Sequence, residues 1–112
     1  MDDLLSIKIA PSGIVNQRQI TTAIQEVAKA FTPGVVRIRY ALKSDSTGSE
    51  AIFFRVLLSD RASRPDRLFE TAERITAKIL DIVQPRETFG MEAYFNFRSE
   101  SEQANLRDAE WE

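Results

Sequence analysis

Cysteine and histidine are both missing from this sequence of 112 residues. The absence of cysteine excludes disulfides, zinc–thiolate sites and thiol chemistry. The absence of histidine removes the commonest general acid–base and the commonest metal ligand. Only a hard-cation site made of carboxylates would remain possible, and no predicted strand ends in converging carboxylates. We therefore predict that the chain is not an enzyme, with no catalytic residues, no metal and no cofactor.

Long apolar runs and a strong charge imbalance are also lacking. No stretch approaches the ~20 apolar residues that a membrane-spanning helix needs, and the opening Met-Asp-Asp-Leu-Leu-Ser does not resemble a secretory signal. A formal net charge of −2 argues mildly against a general nucleic-acid binder. These observations predict a cytoplasmic protein that does not associate with membranes. Residues 1–99 are predicted to form a single α+β domain, followed by an acidic tail over residues 100–112.

Alternating apolar and polar residues predict four β-strands. The strands are expected at residues 4–10, 35–43, 51–58 and 91–98. The first would end at Pro11-Ser12-Gly13, and the polar run 44–49 would join the second and third strands as a hairpin loop.

Two further stretches carry apolar residues at helical spacing. The first helix is expected between an N-cap at Asn16 and a stop at Thr32-Pro33-Gly34, and the second is expected to open near Ser63. The apolar stripes are Ile20, Ile24, Val27 and Phe31 in the first helix, and Leu68, Ala72, Ile75, Ile79 and Ile82 in the second.

The resulting order β-α-β-β-α-β predicts a ferredoxin-like two-layer sandwich, with both helices on one face of a four-stranded antiparallel sheet. Without the first strand the order would be α-β-β-α-β, as in KH-like modules. Neither topology assigns a function.

The third predicted strand departs from the alternation that a sheet with one covered face should show. Ile52 and Phe54 can face the helices, but Phe53 and Leu57 then point to the opposite face, and Tyr94 joins them from the last strand. Basic residues surround this apolar centre, and they include Arg37, Arg39, Arg55 and Arg98. Such a surface is expected to be covered or to bind something, because leaving its apolar area in water costs about 25 cal/mol per Å².

Three occupants of this face remain open. The tail could cover it, with Leu106 and Trp111 as apolar contacts and its acidic residues against the arginines. A protein partner could cover it, most simply a second copy in a homodimer. Single-stranded nucleic acid could stack on Phe53 and Tyr94, although the third strand lacks the glycine and second aromatic residue of RNA-recognition motifs.

The hypothesis that follows is a non-catalytic protein–protein interaction or assembly module. It would act as a homodimer or with a dedicated partner, through a sheet face centred on Phe53, Leu57 and Tyr94. Aromatic and arginine side chains are the types enriched at interaction hot spots. The alternative hypothesis is a single-stranded nucleic-acid binder that uses the same face.

Overall fold

The computed structural model describes the backbone of residues 9–112 and the side chains from Gln17 onward. Its helices and strands are α1 (Ile9–Ala30), β1 (Val35–Ser44), β2 (Glu50–Leu58), α2 (Pro65–Val83), β3 (Glu92–Ser99) and α3 (Glu100–Leu106). A single turn of π-helix spans Pro85–Phe89, and a single turn of 3-10 helix spans Ala109–Trp111.

The strands form a three-stranded open mixed sheet in the order β1-β2-β3. β1 and β2 are an antiparallel hairpin, and β2 pairs in parallel with β3 after the crossover through α2. The prediction of a four-stranded antiparallel ferredoxin-like sheet is therefore wrong. Alternation of apolar residues tells which face a side chain occupies, but it does not tell which strands are neighbours. The order α-β-β-α-β of the KH-like alternative recurs in the first five described elements, but α3 follows them and the likeness goes no further than this order.

The start of α1 also corrects the sequence analysis. Residues 4–8 of the predicted first strand lie outside the described residues, whereas Ile9 and Ala10 belong to the helix. The predicted turn at Pro11-Ser12-Gly13 and the predicted N-cap at Asn16 both lie within the helix. A helix tolerates proline in its first turn, where the backbone N–H has no partner in any case, and one glycine costs only about 1 kcal/mol.

The core lies between the helices and one face of the sheet. Ile52, Phe54, Val56 and Leu58 of β2 are fully buried there, as predicted. The helical side chains that bury against them are Ile20, Ile24 and Val27 of α1, and Ile75, Ile79 and Val83 of α2. Each buried aliphatic side chain of this kind stabilises the fold by roughly 1.5–3 kcal/mol. Two members of the predicted α2 stripe, Leu68 and Ile82, instead remain 36% and 38% exposed.

A register shift at the start of β1 decides which of two valines enters the core. The pairing with β2 slips between Val35 and Arg37. Val35 is consequently buried, whereas Val36, which simple alternation assigns to the core, is 40% exposed. From Ile38 onward the strand follows the predicted alternation.

Candidate functional site

The face of the sheet that points away from α1 and α2, here called the outer face, consists of four rows of side chains. Each row takes one residue from each strand at matching positions of the ladder. The rows are Arg37–Leu57–Arg98, Arg39–Arg55–Asn96, Ala41–Phe53–Tyr94 and Lys43–Ala51–Glu92. The sheet thereby brings together all seven residues predicted for the interface, but it divides them between two halves of the face.

The first row lies under residues 100–112, here called the cover segment. The Arg37 side chain donates a hydrogen bond from Nε to the backbone oxygen of Trp111 at 3.2 Å. The Arg98 guanidinium lies 4.3 Å from the centre of the Trp111 ring, a cation–π contact. Leu57, between the two arginines, and Trp111 itself are both buried. The predicted centre residue Leu57 is therefore inaccessible to a partner while the cover segment is in place.

The second row is held by the last residues of the cover segment. Arg39 donates to the backbone oxygen of Glu112 at 2.6 Å. Arg55 forms an ion pair with Glu110 at 3.2 Å, and the Arg55 side chain is only 10% exposed. An arginine this deeply buried needs a negative partner, because an unpaired charge is costly to remove from water. The acidic cover segment therefore pairs with the basic half of the outer face of its own chain.

Local sequence explains how the cover segment turns onto the sheet. Ser99 and Glu102 form a capping box: the Ser99 hydroxyl accepts from the Glu102 backbone N–H, and the Glu102 carboxylate accepts from the Ser99 backbone N–H. α3 therefore begins directly at the end of β3. Asp60 accepts two hydrogen bonds from Ser101, at 3.0 and 2.6 Å, and these bonds lower the pKa of its carboxyl group.

A left-handed residue then returns the chain toward the arginines. Arg107 adopts φ 53° at the end of α3. Inside the bend, the buried Gln103 side chain accepts from Arg98 at 2.8 Å and donates to the backbone oxygen of Asp108 at 2.8 Å. Asp108 also lies 3.7 Å from Arg98. These contacts place Trp111 over the first row.

The third row carries the exposed part of the predicted interface. Phe53 and Tyr94 stack with ring centroids 5.0 Å apart and an angle of 18° between the rings. The Lys43 ammonium lies 4.9 Å from the centre of the Phe53 ring. Tyr94 is 39% exposed and Phe53 is half-buried. We call Phe53, Tyr94 and Lys43 the aromatic patch.

The β1–β2 hairpin loop orients one side of this patch. Asp45 accepts hydrogen bonds from the hydroxyl and backbone N–H of Thr47 at 2.6 and 2.9 Å, and from the backbone N–H of Ser49 at 3.1 Å. Its second carboxylate oxygen accepts from the Tyr94 hydroxyl at 2.9 Å. The bonds from Thr47 and Tyr94 lower the pKa of Asp45 to about 2, and the bond to Asp45 raises the pKa of Tyr94. These shifts follow from hydrogen bonds that hold the loop against the ring.

A cleft of about 500 Å³ separates the aromatic patch from the cover segment. Phe53, Arg55 and Asn96 line its sheet side, and Leu106 and Trp111 line its other side. Leu106, predicted as an apolar contact of the tail, is 62% exposed at this rim. The arrangement offers a partner an aromatic surface, a lysine and an apolar rim on one side of the molecule.

Sequence reasoning did not identify three residues that build or hold the outer face, Asp45, Asp60 and Gln103, and it assigned no role to Lys43. Two signals were present in the sequence. Ser99-x-x-Glu102 is a capping-box pattern, and Asp45-x-Thr47 is typical of a loop in which an aspartate binds the following backbone. No pattern in the sequence indicates Gln103, because its role depends on the return of the chain after α3.

Two further features are absent from the part of the chain that the structure describes. Within it, no three Asp or Glu side chains are grouped as a metal site would require. No helix there is long and apolar enough to cross a bilayer.

No protein-family model, no curated protein and no solved structure matches this chain.

Proposed function

We propose that this protein is a non-catalytic interaction module, and that its aromatic patch binds a protein, either a dedicated partner or another copy of the chain. The observation that carries the proposal is the Phe53–Tyr94 stack, which lies across the central and edge strands with Tyr94 39% exposed. Two aromatic rings held in fixed orientation by stacking on each other present contact area at little entropic cost to the free protein. Lys43 and the cleft beside Arg55 supply polar and charged groups around them.

The proposed surface is narrower than the one expected from the sequence. Leu57 and the arginines at 37, 55 and 98 contact the cover segment and are buried or half-buried, and Arg39 bonds to Glu112 but stays exposed. We therefore assign partner contact to the aromatic patch and the Leu106 rim. The four arginines hold the cover segment in place, and this segment forms the side of the cleft that faces the aromatic patch.

The non-catalytic part of the proposal is supported by composition and by the carboxyl groups near the patch. The sequence offers neither histidine nor cysteine. Asp45, beside the patch, and Asp60, at the start of the cover segment, both have lowered pKa values because hydrogen bonds from Thr47 and Tyr94 and from Ser101, respectively, stabilise their ionised forms. A general acid that works near neutral pH requires the opposite shift. A cytoplasmic location, expected from the sequence, is part of the same proposal.

Single-stranded nucleic acid is the alternative ligand of this face. It is less well supported, because the cover segment already binds the arginines that would hold phosphates. Lys43 is the cation of the patch itself, and Asp45 and Glu92 lie beside it as negative charges. Phosphates are repelled by carboxylates at such positions, so stacking on Phe53 and Tyr94 would gain little electrostatic support.

Site-specific photo-crosslinking in the cell tests the proposal. A photoreactive phenylalanine analogue at position 94 should crosslink to a protein, and the same analogue at position 69 should not, because Phe69 is 75% exposed on α2 away from the outer face. A Phe53→Asp substitution should abolish the crosslink from position 94 to a partner of different sequence. Crosslinks to nucleic acid from position 94 would support the alternative. Equal protein crosslinks from positions 94 and 69 would contradict the proposal.

A further inference from the structure

β3 forms an outer edge of the sheet. It pairs with β2 on one side, and within the described residues no strand pairs with its other side. An edge strand presents unpaired backbone N–H and C=O groups that can template pairing with another strand. Proteins usually protect such edges with bulges, prolines or charged side chains, lysine above all.

The two edges of this sheet differ in that protection. β1 has a register shift near its start and carries Arg37, Arg39 and Lys43. β3 runs in unbroken register with β2 over eight residues, contains neither proline nor lysine, and carries charged side chains only near its two ends, at Glu92 and Arg98. The β3 edge is therefore regular and poorly protected against pairing.

An apolar strip follows the same edge on its helix side. Ala93, Phe95 and Phe97 pack against the core but stay half-buried, whereas their ladder neighbours Ile52, Phe54 and Val56 are fully buried. A cleft of about 750 Å³ lies between α2 and β3. Its apolar lining residues are Ala77, Leu80, Met91, Ala93 and Phe95. One more strand beside β3 would place its own apolar side chains in this cleft and complete the layer beneath α2.

The sequence of β3 is self-complementary around Phe95. If two copies of the strand pair antiparallel with Phe95 opposite Phe95, the same register places Glu92 opposite Arg98 and Tyr94 opposite Asn96. It also places Ala93 opposite Phe97, on the side of α2. Like charges meet nowhere in this register, and each end of the paired strands gains an opposite-charge pair, an arrangement that stabilises a sheet by roughly 0.2–1 kcal/mol.

We propose that β3 pairs with β3 of a second copy in this register, giving a two-fold symmetric dimer with a continuous six-stranded sheet. An isologous contact of this kind requires one self-complementary surface, which β3 supplies. The two-fold axis would run perpendicular to the sheet, so the helices of both copies lie on one face and both aromatic patches lie on the other. Glu92, which is already bonded to Arg86, and Arg98, which is already bonded to Gln103, would each gain a partner across the axis. The proposal does not depend on the proposed function of the aromatic patch.

Mass and crosslinking together test the dimer. Light scattering of the unmodified chain across a wide concentration range should approach twice the chain mass of 12.7 kDa. Because the chain has no cysteine, a single Phe95→Cys substitution should form an intermolecular disulfide under mild oxidation. Opposed residues of an antiparallel pair have the Cα separation that a disulfide requires. Ala41→Cys, on the opposite edge strand, is the matched control and should remain uncrosslinked.

A second substitution guards against misfolding at position 95, where Phe95 stacks on Phe54. Ala93→Lys adds an inward-facing charge to the edge and should give a monomer, whereas Ala41→Lys should leave the dimer mass unchanged. Fluorescence of Trp111, the only tryptophan, reports whether each variant keeps its outer face. A monomeric mass of the unmodified chain at all concentrations, or crosslinking from position 41 in preference to position 95, would overturn the proposal.

Discussion

The Asp45 carboxylate accepts more hydrogen bonds than any other side chain of the β1–β2 loop, and it links that loop to the aromatic patch. Two of its partners belong to Thr47, one to Ser49 and one to Tyr94. Since only the ionised carboxylate accepts all of these bonds, the folded state lowers the pKa of Asp45 from 3.8 to about 2. The loop geometry is therefore tied to the charge of one residue.

A dependence of stability on acid follows from this shift. The folded-state pKa lies below the unfolded value, so the contribution of Asp45 is complete above about pH 4 and is lost as the pH falls toward 2. Asp45→Asn should flatten the decline of unfolding free energy over that interval, measured by urea titration at several pH values. Asp81→Asn, an exposed carboxylate on α2, is the control and should leave the decline unchanged. An equal decline in the wild type and in Asp45→Asn would contradict the assignment.

Two glutamates of the cover segment provide a matched comparison of ion pairs. Glu110 and Glu112 have side chains 62% and 61% exposed, but the Arg55 side chain that pairs with Glu110 is 10% exposed, and the Arg37 side chain that pairs with Glu112 is 31% exposed. Glu110→Gln should lower the unfolding free energy by about 1–2 kcal/mol, because it leaves a buried arginine without a negative partner. Glu112→Gln should cost less than about 0.5 kcal/mol, because its pair with Arg37 is largely exposed and the glutamine oxygen can still accept the hydrogen bond from Gln103. Chemical denaturation of the two variants would measure the difference, and equal losses would refute this account.

Local periodicity predicted where the strands lie along the chain, but it did not predict how they are arranged in the sheet. The strands expected at 35–43, 51–58 and 91–98 are present within a residue or two. The first and last of these alternate between apolar and polar residues, and the middle one is a short, mostly apolar run that follows a polar loop. The alternation of residues 51–58 also placed Phe53 and Leu57 on the outer face. What it could not supply was the pairing of β2 with β3, since strand order depends on how α2 crosses the sheet and not on the pattern of any strand.

Local sequence patterns also failed to predict that the cover segment returns onto the sheet. Acidic residues, Leu106 and Trp111 made the segment a candidate for covering the basic face, but the sequence left a second copy as an equal candidate and nucleic acid as a weaker one. The choice depends on contacts that are distant in the chain: Arg37 with Trp111 and Arg55 with Glu110. Contacts between residues so far apart in the chain produce no periodic pattern in the sequence. The seven residues were therefore placed on the face of the sheet where the structure has them, while the division of that face into covered and exposed halves was not predictable.

Removal of the cover segment should expose the first two rows of the outer face. A chain that ends at Ser99 is expected to bind a hydrophobic fluorescent dye more strongly than the full chain, because Leu57 loses the burial that accompanies Trp111 above its row. The unmodified chain and a Leu106→Ser variant, in which the segment is kept, are the controls and should bind little dye. Circular dichroism would establish that the shortened chain retains its helices. A folded, shortened chain without increased dye binding would show that the segment is not the cover.

The molecule as a whole presents two surfaces of different character on adjoining sides. The aromatic patch lies on the outer face, where side chains make the contact, whereas the β3 edge offers backbone groups and an apolar strip under α2. Tyr94 belongs to both, because it stacks on Phe53 and also lies in the strand that is proposed to pair. A dimer built through β3 would bring two aromatic patches onto one continuous face, and a partner with two binding segments could then engage both copies at once.

Two substitutions, one on each surface, should distinguish partner binding by the aromatic patch from dimerisation through β3. Phe53→Asp lies on the central strand and is expected to abolish crosslinking from position 94 to a partner of different sequence, while crosslinks between two copies across β3 and the mass of the dimer stay unchanged. Ala93→Lys is expected to give a monomer that still crosslinks to the partner, although with weaker apparent binding because only one patch is presented. Light scattering and photo-crosslinking on the same two variants would measure both effects. If Phe53→Asp produced a monomer and Ala93→Lys did not, the second copy would bind to the stacked rings of the outer face. The β3 edge would then not be the dimer interface.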